Sequence, residues 1–111
     1  QRRDVTHVED VTKALLAVAA IPEAHGEVFN LGSDRPVSIR DIAMVIASNT
    51  DVDVAFMDYP DQLRPIAIGD TWSSYDRLEL VTGWRPQVTL NEGISQTLDF
   101  YRNNPEYWRS D

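Results

Sequence analysis

The sequence lacks several residue types and patterns that define common chemical sites. It has no cysteine, which excludes disulfides, thiolate metal ligands and a cysteine nucleophile. Its five glycines are scattered singly, so no glycine-rich turn of the kind that holds a dinucleotide pyrophosphate is present. It also has no G-x-S-x-G nucleophile elbow and no apolar run long enough to span a bilayer. These absences argue against a self-contained dinucleotide-dependent enzyme and against a membrane-spanning protein.

Positive charge is also scarce. Eighteen acidic side chains oppose ten basic ones, the net charge at pH 7 is −8, and Lys13 is the only lysine. Nucleic acids and anionic membranes bind surfaces with net positive charge, so we expect neither as a partner. We expect a cytoplasmic location. An acidic, lysine-poor surface also suits a salt-adapted source, a hypothesis that a melting temperature rising with added salt would support.

The residues that are present alternate between helical and strand patterns. Two N-cap residues, Ser38 and Thr89, are each followed three positions later by an acidic residue, which is the spacing of a capping box. Apolar periodicity predicts four helices: residues 9–20, a helix that begins after Ser38, a short one that ends at Gly83, and residues 90–103. Alternating or continuous apolar runs predict strands at residues 3–8, 27–31 and 52–56, with a long loop at 58–73.

This order of elements predicts an α/β fold made of a single segment, residues 1–111. Three short strands separated by helices need parallel neighbours, and parallel sheets are normally covered on both faces. Few strands in this chain are available to satisfy one another. We therefore expect the sequence to be the tail of a larger fold.

Two arginines are candidates for binding an anion. Arg3 lies at the start of the first strand, and Arg64 lies in the long loop directly before Pro65. Arginine suits phosphate because its planar guanidinium donates two parallel hydrogen bonds. The alternative is a solvent-exposed arginine paired with a nearby aspartate. From the residues alone both interpretations stay open.

Other polar and aromatic residues have competing interpretations. His7 and Asp10 lie close enough in sequence to suggest a metal site, but no second cluster supplies further ligands, and Asp10 also suits a helix cap or a tie to the preceding strand. Trp72, Tyr75 and Trp84 suit stacking on a base or sugar. Beside Gly83 and at helix ends, such aromatics are more often core residues, and for Trp84 we predict core packing.

Five segments, taken in order, carry a resemblance to a known family. They are residues 3–11 (RDVTHVEDV), 28–32 (VFNLG), 36–43 (PVSIRDIA), 82–86 (TGWRP) and 90–98 (LNEGISQTL). Together they resemble the C-terminal part of the extended short-chain dehydrogenase/reductase family, the NAD-dependent epimerases and dehydratases of nucleoside-diphosphate sugars. The resemblance implies the C-terminal, substrate-binding portion of an extended Rossmann-type fold, with a few short strands and four helices.

The resemblance also implies roles for specific residues. Arg3 matches the arginine that contacts the nucleotide diphosphate, and Arg64 matches the arginine of a loop that grips the same pyrophosphate. The family's loop reads R-P-G-D or a close variant, whereas residues 64–67 here read RPIA. In the family, an N-terminal Rossmann domain holds NAD and supplies a Tyr-x-x-x-Lys pair. This chain contains neither the cofactor motif nor that pair, so we expect no cofactor site, no metal site and no catalytic residue in it.

The implied function is therefore that of the nucleotide-sugar-binding C-terminal part of an epimerase or dehydratase, not catalytic alone. The implied partners are a nucleoside-diphosphate sugar such as a UDP- or dTDP-sugar, and the protein's own N-terminal Rossmann domain. Exposed strand edges predict a homo-oligomer as well. The alternative is a non-catalytic binding, regulatory or assembly module derived from the same family.

Overall fold

The computed structural model describes residues 1–108, which form four α-helices and a two-stranded sheet. The helices are α1 (Val8–Ala20), α2 (Ile39–Ser48), α3 (Asp76–Thr82) and α4 (Leu90–Asn103), and the strands are β1 (Arg2–Arg3) and β2 (Val37–Ser38). Short 3₁₀ turns occupy Pro22–Ala24, Asp61–Ile66 and Pro105–Tyr107. The predicted four helices are confirmed. None of the helices in residues 1–108 is long and apolar enough to cross a membrane.

Capping residues determine where α2 and α4 begin, as the sequence predicts. The Asp41 amide donates to Ser38 Oγ at 3.0 Å, and the Ser38 amide donates back to the Asp41 carboxylate at 3.2 Å. Thr89 and Glu92 form the same reciprocal pair at the start of α4. Each box satisfies two amides that have no partner within the helix. At the other end of a helix, Gly83 has φ 71° and terminates α3.

The sheet is small and antiparallel. Arg2 pairs with Ser38 and Arg3 with Val37. Arg3 also forms an isolated parallel bridge with Thr71, whose amide donates to the Arg2 carbonyl at 3.1 Å. β1 therefore lies between β2 and the end of the long loop, and it joins two distant parts of the chain.

The predicted strands at residues 27–31 and 52–56 are wrong for the described residues. Of the segment predicted at 3–8, only Arg3 is in a strand, and Val8 already begins α1. Residues 27–31 lie outside every helix and strand, because a strand needs a hydrogen-bonded neighbour and the described residues supply none. Phe29 and Leu31 of this segment still pack against the core. Residues 52–56 also form no strand. Phe56 of this segment contacts α2 instead, where the Arg40 guanidinium lies 4.1 Å from the centre of its ring.

The core lies between α1, α3 and the turn that follows α3. Ala14, Leu78 and Trp84 are buried there, and Tyr75 meets Trp84 edge to face at 5.6 Å. Trp84 is only 6% exposed, which confirms its predicted core packing. Its Nε1 donates to the carbonyl of Asp10 at 3.0 Å. This bond joins the indole to α1.

Asp10 ties α1 to the turn after Trp84. Its side chain is completely buried, and Oδ2 accepts the amides of Gln87 at 2.9 Å and Val88 at 2.8 Å. Lys13 Nζ lies 3.9 Å from Oδ1, which is too long for a hydrogen bond. Asp10 therefore has a structural role, close to the tie that the sequence suggests, although its partner is residues 87–88 and not the preceding strand.

Candidate functional site

The guanidinium of Arg3 is held by main-chain oxygens of β1 and of the long loop. Nη1 donates to the carbonyls of Arg2 at 2.6 Å and Gly69 at 2.7 Å. Nη2 donates to the carbonyl of Ile68 and to Gln1 Oε1, each at 3.2 Å. Two of these four hydrogen bonds therefore tie this cation to the end of the loop that carries Arg64.

Backbone groups of β1 hold the same end of the loop. The Arg2 amide donates to Asp70 Oδ1 at 2.9 Å, and the Thr71 amide donates to the Arg2 carbonyl. Together with the guanidinium of Arg3, these bonds attach residues 68–71 firmly to β1.

Arg64 lies at the middle of the loop, in the 3₁₀ turn Asp61–Ile66. Its Nε donates to Asp61 Oδ1 at 2.7 Å, and its side chain is 63% exposed. Its Nη1 and Nη2 atoms have no protein partner within residues 1–108. Arg64 can therefore offer two donors to an anion while Asp61 steadies it from the other side.

The structure does not place the two arginine side chains in contact with each other within the described part of the chain. Arg3 lies in β1 and is hydrogen-bonded to residues 68 and 69 of the loop, and Arg64 lies in that loop four positions before residue 68. The loop therefore links the two arginines. Its residues 68–71 are attached to β1, and the turn around Arg64 in its middle is exposed.

Additional positive charge lies near β1 at the start of α2. The pKa of Asp41 is held below its ordinary value, first by the hydrogen bond from the Ser38 hydroxyl and then by that from the Ser38 amide. The charges of Arg2 and Arg40 lower it further. The cations Arg2 and Arg40 therefore lie near β1 together with the carboxylates of Asp41 and Asp70.

The His7 and Asp10 segment lies elsewhere and serves the fold. His7 Nδ1 accepts the Glu9 amide at 3.4 Å and caps α1, while its ring packs on Gly93 of α4. A Cβ at position 93 would lie 3.1 Å from His7 Cδ2, so glycine allows this contact. Within residues 1–108, no group of three or more histidine, aspartate or glutamate side chains is arranged to hold a metal ion.

A cavity that the sequence gave no reason to expect lies between residues 5–9 and α4. It has a volume of about 600 Å³, and its walls include Val5, Val8, Ile94 and Phe100. These residues belong to two elements more than 80 positions apart, so no local pattern links them. Among the aromatic candidates, Trp72 alone of the three is exposed, and it directly follows Thr71.

Sequence reasoning also missed the partners of Arg3. Two are main-chain carbonyls, which any residue supplies and which therefore leave no signal in the sequence. Asp70 was missed as well. The only available signal was its position directly after Gly69 in an otherwise apolar stretch.

The chain is similar to the same kind of protein in sequence and in structure. The chain is 35% identical to UDP-glucose 4-epimerase of Mycolicibacterium smegmatis over 94% of its length, and 28% identical to dTDP-D-glucose 4,6-dehydratase of Mus musculus over 99%. A structure of WbmF from Bordetella bronchiseptica in complex with NAD⁺ and UDP matches 96% of the chain with 28% identity and a TM-score of 0.77. No family model matches the chain.

The chain corresponds to the C-terminal part of proteins of the extended short-chain dehydrogenase/reductase family. The resemblance in the five sequence segments and the expected fold portion are thereby confirmed. The chain spans about a third of the length of the family members that it matches: 32% of the epimerase and of the dehydratase, and 30% of WbmF.

Proposed function

We propose that this chain supplies the diphosphate-binding part of a nucleotide-sugar site in an NAD-dependent epimerase or dehydratase. The observation that carries the proposal is the long loop, which contains Arg64 and whose end at Ile68 and Gly69 is hydrogen-bonded to the guanidinium of Arg3 in β1. Arg64 is largely exposed and offers its two terminal nitrogens to a diphosphate. The relatives support this ligand class, since their names specify UDP- and dTDP-sugars and WbmF is bound to UDP.

The residues of this chain do not fit a site for NAD. The two glycines with positive φ, Gly26 and Gly83, lie in turns that follow helices, whereas a pyrophosphate cradle precedes a helix. The sequence also lacks the Tyr-x-x-x-Lys pair. We propose that NAD and the catalytic residues belong to an N-terminal Rossmann domain of the parent enzyme, and that residues 1–111 form a single substrate-binding segment without catalysis of its own.

An assembly role is the second candidate, and one surface favours it. Leu15 and Leu16, neighbours on α1, are both exposed; we term them the apolar face. Exposed apolar side chains favour contact with another surface, in an N-terminal Rossmann domain or in a second copy.

The substitution Arg64→Gln tests the diphosphate proposal. A lost charge-assisted hydrogen bond of roughly 1.5–3 kcal/mol corresponds to about a 10- to 150-fold weaker affinity for UDP. The measurement is a titration of the chain with UDP, followed in a two-dimensional amide NMR spectrum. Resonances of the loop and of β1 should shift on binding.

Arg102→Gln is the matched control. Arg102 is also a largely exposed arginine that pairs with an aspartate three positions before it, but it lies on α4, where it also donates to the Asn49 carbonyl at 2.7 Å. Its substitution should leave the affinity for UDP within about twofold of the unchanged chain. Equal losses in both variants, or a folded chain whose resonances ignore UDP, would contradict the proposal.

A further inference from the structure

Asp70 takes the place of a main-chain group at the point where the long loop meets β1. The Thr71 amide donates to the Arg2 carbonyl at 3.1 Å, and Thr71 forms a single parallel bridge with Arg3. In a parallel ladder that continued, a main-chain carbonyl of the loop would accept the Arg2 amide. Here the carboxylate of Asp70 accepts it instead, at 2.9 Å, and Asp70 lies in a bend. The side chain of Asp70 therefore ends the main-chain pairing and turns the loop away from β1.

The turn of the loop at Asp70 makes two carbonyls available to the side chain of Arg3. Nη2 donates to the carbonyl of Ile68 at 3.2 Å, and Nη1 donates to that of Gly69 at 2.7 Å. The same two nitrogens also donate to oxygens of residues 1 and 2. The Nε–H takes no part in these four bonds. Arg3 is thus fixed in direction, and it keeps one donor and its positive charge for a diphosphate.

We propose that Asp70 is a positioning residue, which acts on the diphosphate through Arg3. Its hydrogen bond to the Arg2 amide sets the bend in the loop. The bend presents the carbonyls of residues 68 and 69 to the guanidinium, and these carbonyls fix the direction of Arg3. This inference rests on the proposed function, because it takes Arg3 and Arg64 as the residues that contact the diphosphate. A carboxylate itself repels a diphosphate, so Asp70 aids binding by its hydrogen bond and not by its charge.

Two substitutions at this position separate the hydrogen bond from the charge. Asp70→Asn removes the charge and keeps an oxygen that can accept the Arg2 amide, whereas Asp70→Ala removes both. Asp58→Ala is the matched control. Asp58 is an exposed aspartate of the same loop, and its carboxylate has no hydrogen-bond partner within residues 1–108. Its replacement removes the same charge from the loop without removing a bond to β1.

The first measurement is the affinity of the full 111-residue chain for UDP, from a titration followed in a two-dimensional amide NMR spectrum. We expect Asp70→Ala to weaken binding about fivefold. Asp70→Asn and Asp58→Ala should both stay within about twofold of the unchanged chain. Equal weakening in Asp70→Asn and Asp70→Ala would assign the effect to the charge. That result, or an unchanged affinity in Asp70→Ala, overturns the inference.

The second measurement is a double-mutant cycle on the same affinity, with Asp70→Ala, Arg3→Gln and the double variant. If Asp70 acts through Arg3, Asp70→Ala has little effect on the affinity for UDP once Arg3 is replaced. Additive losses would mean that Asp70 acts independently of Arg3, which overturns the inference and leaves the proposed function intact. If Arg3→Gln and Arg64→Gln both leave the affinity unchanged, the proposed function fails, and the inference fails with it.

Amide hydrogen exchange without ligand distinguishes positioning of the loop from support of the whole fold. The reporter is the Thr71 amide, which is bonded to β1. It should exchange about fivefold faster in Asp70→Ala and at an unchanged rate in Asp70→Asn. An unchanged rate at Thr71 in Asp70→Ala overturns the inference. Faster exchange in Asp70→Ala at Leu78 and Trp84 in the core overturns it as well, because Asp70 would then support the whole fold.

Discussion

At the scale of single residues, Gly32 lies where the segments that contain Asp4 and Ser73 approach the chain closely. A Cβ at this position would lie 2.4 Å from the carbonyl oxygen of Ser73 and 3.1 Å from the carboxylate of Asp4. The same carboxylate accepts the Ser73 amide at 3.0 Å. Because the obstructing atom at 2.4 Å is backbone, it cannot turn aside as a flexible side chain would. Gly32 is therefore required by contact and not by its own backbone conformation.

We predict that Gly32→Ala destabilises the chain by about 1–3 kcal/mol, since the added methyl must displace the segment at Ser73 and strain the bond to Asp4. The measurement is the midpoint of urea unfolding. Gly69→Ala is the control, because a Cβ there meets nothing within 4 Å and the carbonyl that binds Arg3 is kept. It should change stability by less than about 0.5 kcal/mol. Equal effects of the two substitutions would refute the close-contact explanation.

At the scale of elements, the capping boxes link helix formation to pH. The pKa of Glu92 lies below its ordinary value because the hydroxyl of Thr89, and then its amide, donate to the carboxylate. The charged form of Glu92 is thus favoured in the folded chain. Its contribution to stability is complete above its ordinary pKa of 4.5 and is lost as the pH falls through the lowered value. Asp41 behaves in the same way at the start of α2.

We predict that Thr89→Ala raises the pKa of Glu92 toward its ordinary value and removes about 1 kcal/mol of stability at neutral pH. The variant loses stability less steeply below pH 4.5, because the hydroxyl that contributed most to favouring the carboxylate is gone, while the amide of residue 89 remains. An NMR titration of the Glu92 carboxyl group measures the shift. Thr12→Ala, which removes a hydroxyl bonded to Val8 within α1, should leave the Glu92 titration unchanged. A Glu92 midpoint that is identical in all three proteins would contradict the cap.

The same elements show the limits of periodicity. Helical spacing and caps act over three or four positions, so the four helices were predictable. A strand is different, because its hydrogen bonds come from another segment. Residues 27–31 have an apolar pattern suited to a buried strand and pack Phe29 and Leu31 against the core, but the neighbour that would complete a ladder is not among the described residues.

At the scale of the whole molecule, net charge and exposed apolar surface act in opposite directions. The charge of −8 repels copies of the chain from one another, whereas the apolar face favours association. Apolar contact is not screened by salt, and like-charge repulsion is. Salt should therefore shift the balance toward association.

We predict that the chain self-associates through the apolar face and that association strengthens as salt rises from about 0.05 M to 0.5 M. Sedimentation velocity at several concentrations measures it. Leu16→Glu should shift the chain toward monomer, because it places a charge within the contact. Met57→Glu, at a residue that is 91% exposed on the loop, should not. A chain that stays monomeric at high concentration and high salt would contradict this prediction.

The sequence by itself determined the helices, the capping boxes of α2 and α4, the acidic charge, the family and the candidacy of Arg3 and Arg64. These depend on residue identity and on spacing of a few positions, which a sequence shows directly. Only the tertiary structure decided which segments pair and what each candidate touches. Arg3 binds carbonyls 65 and 66 positions away, and Asp10 binds amides 77 and 78 positions away. Main-chain groups are the same in every residue, so contacts of this kind are decided by how the chain folds and leave no trace in residue type.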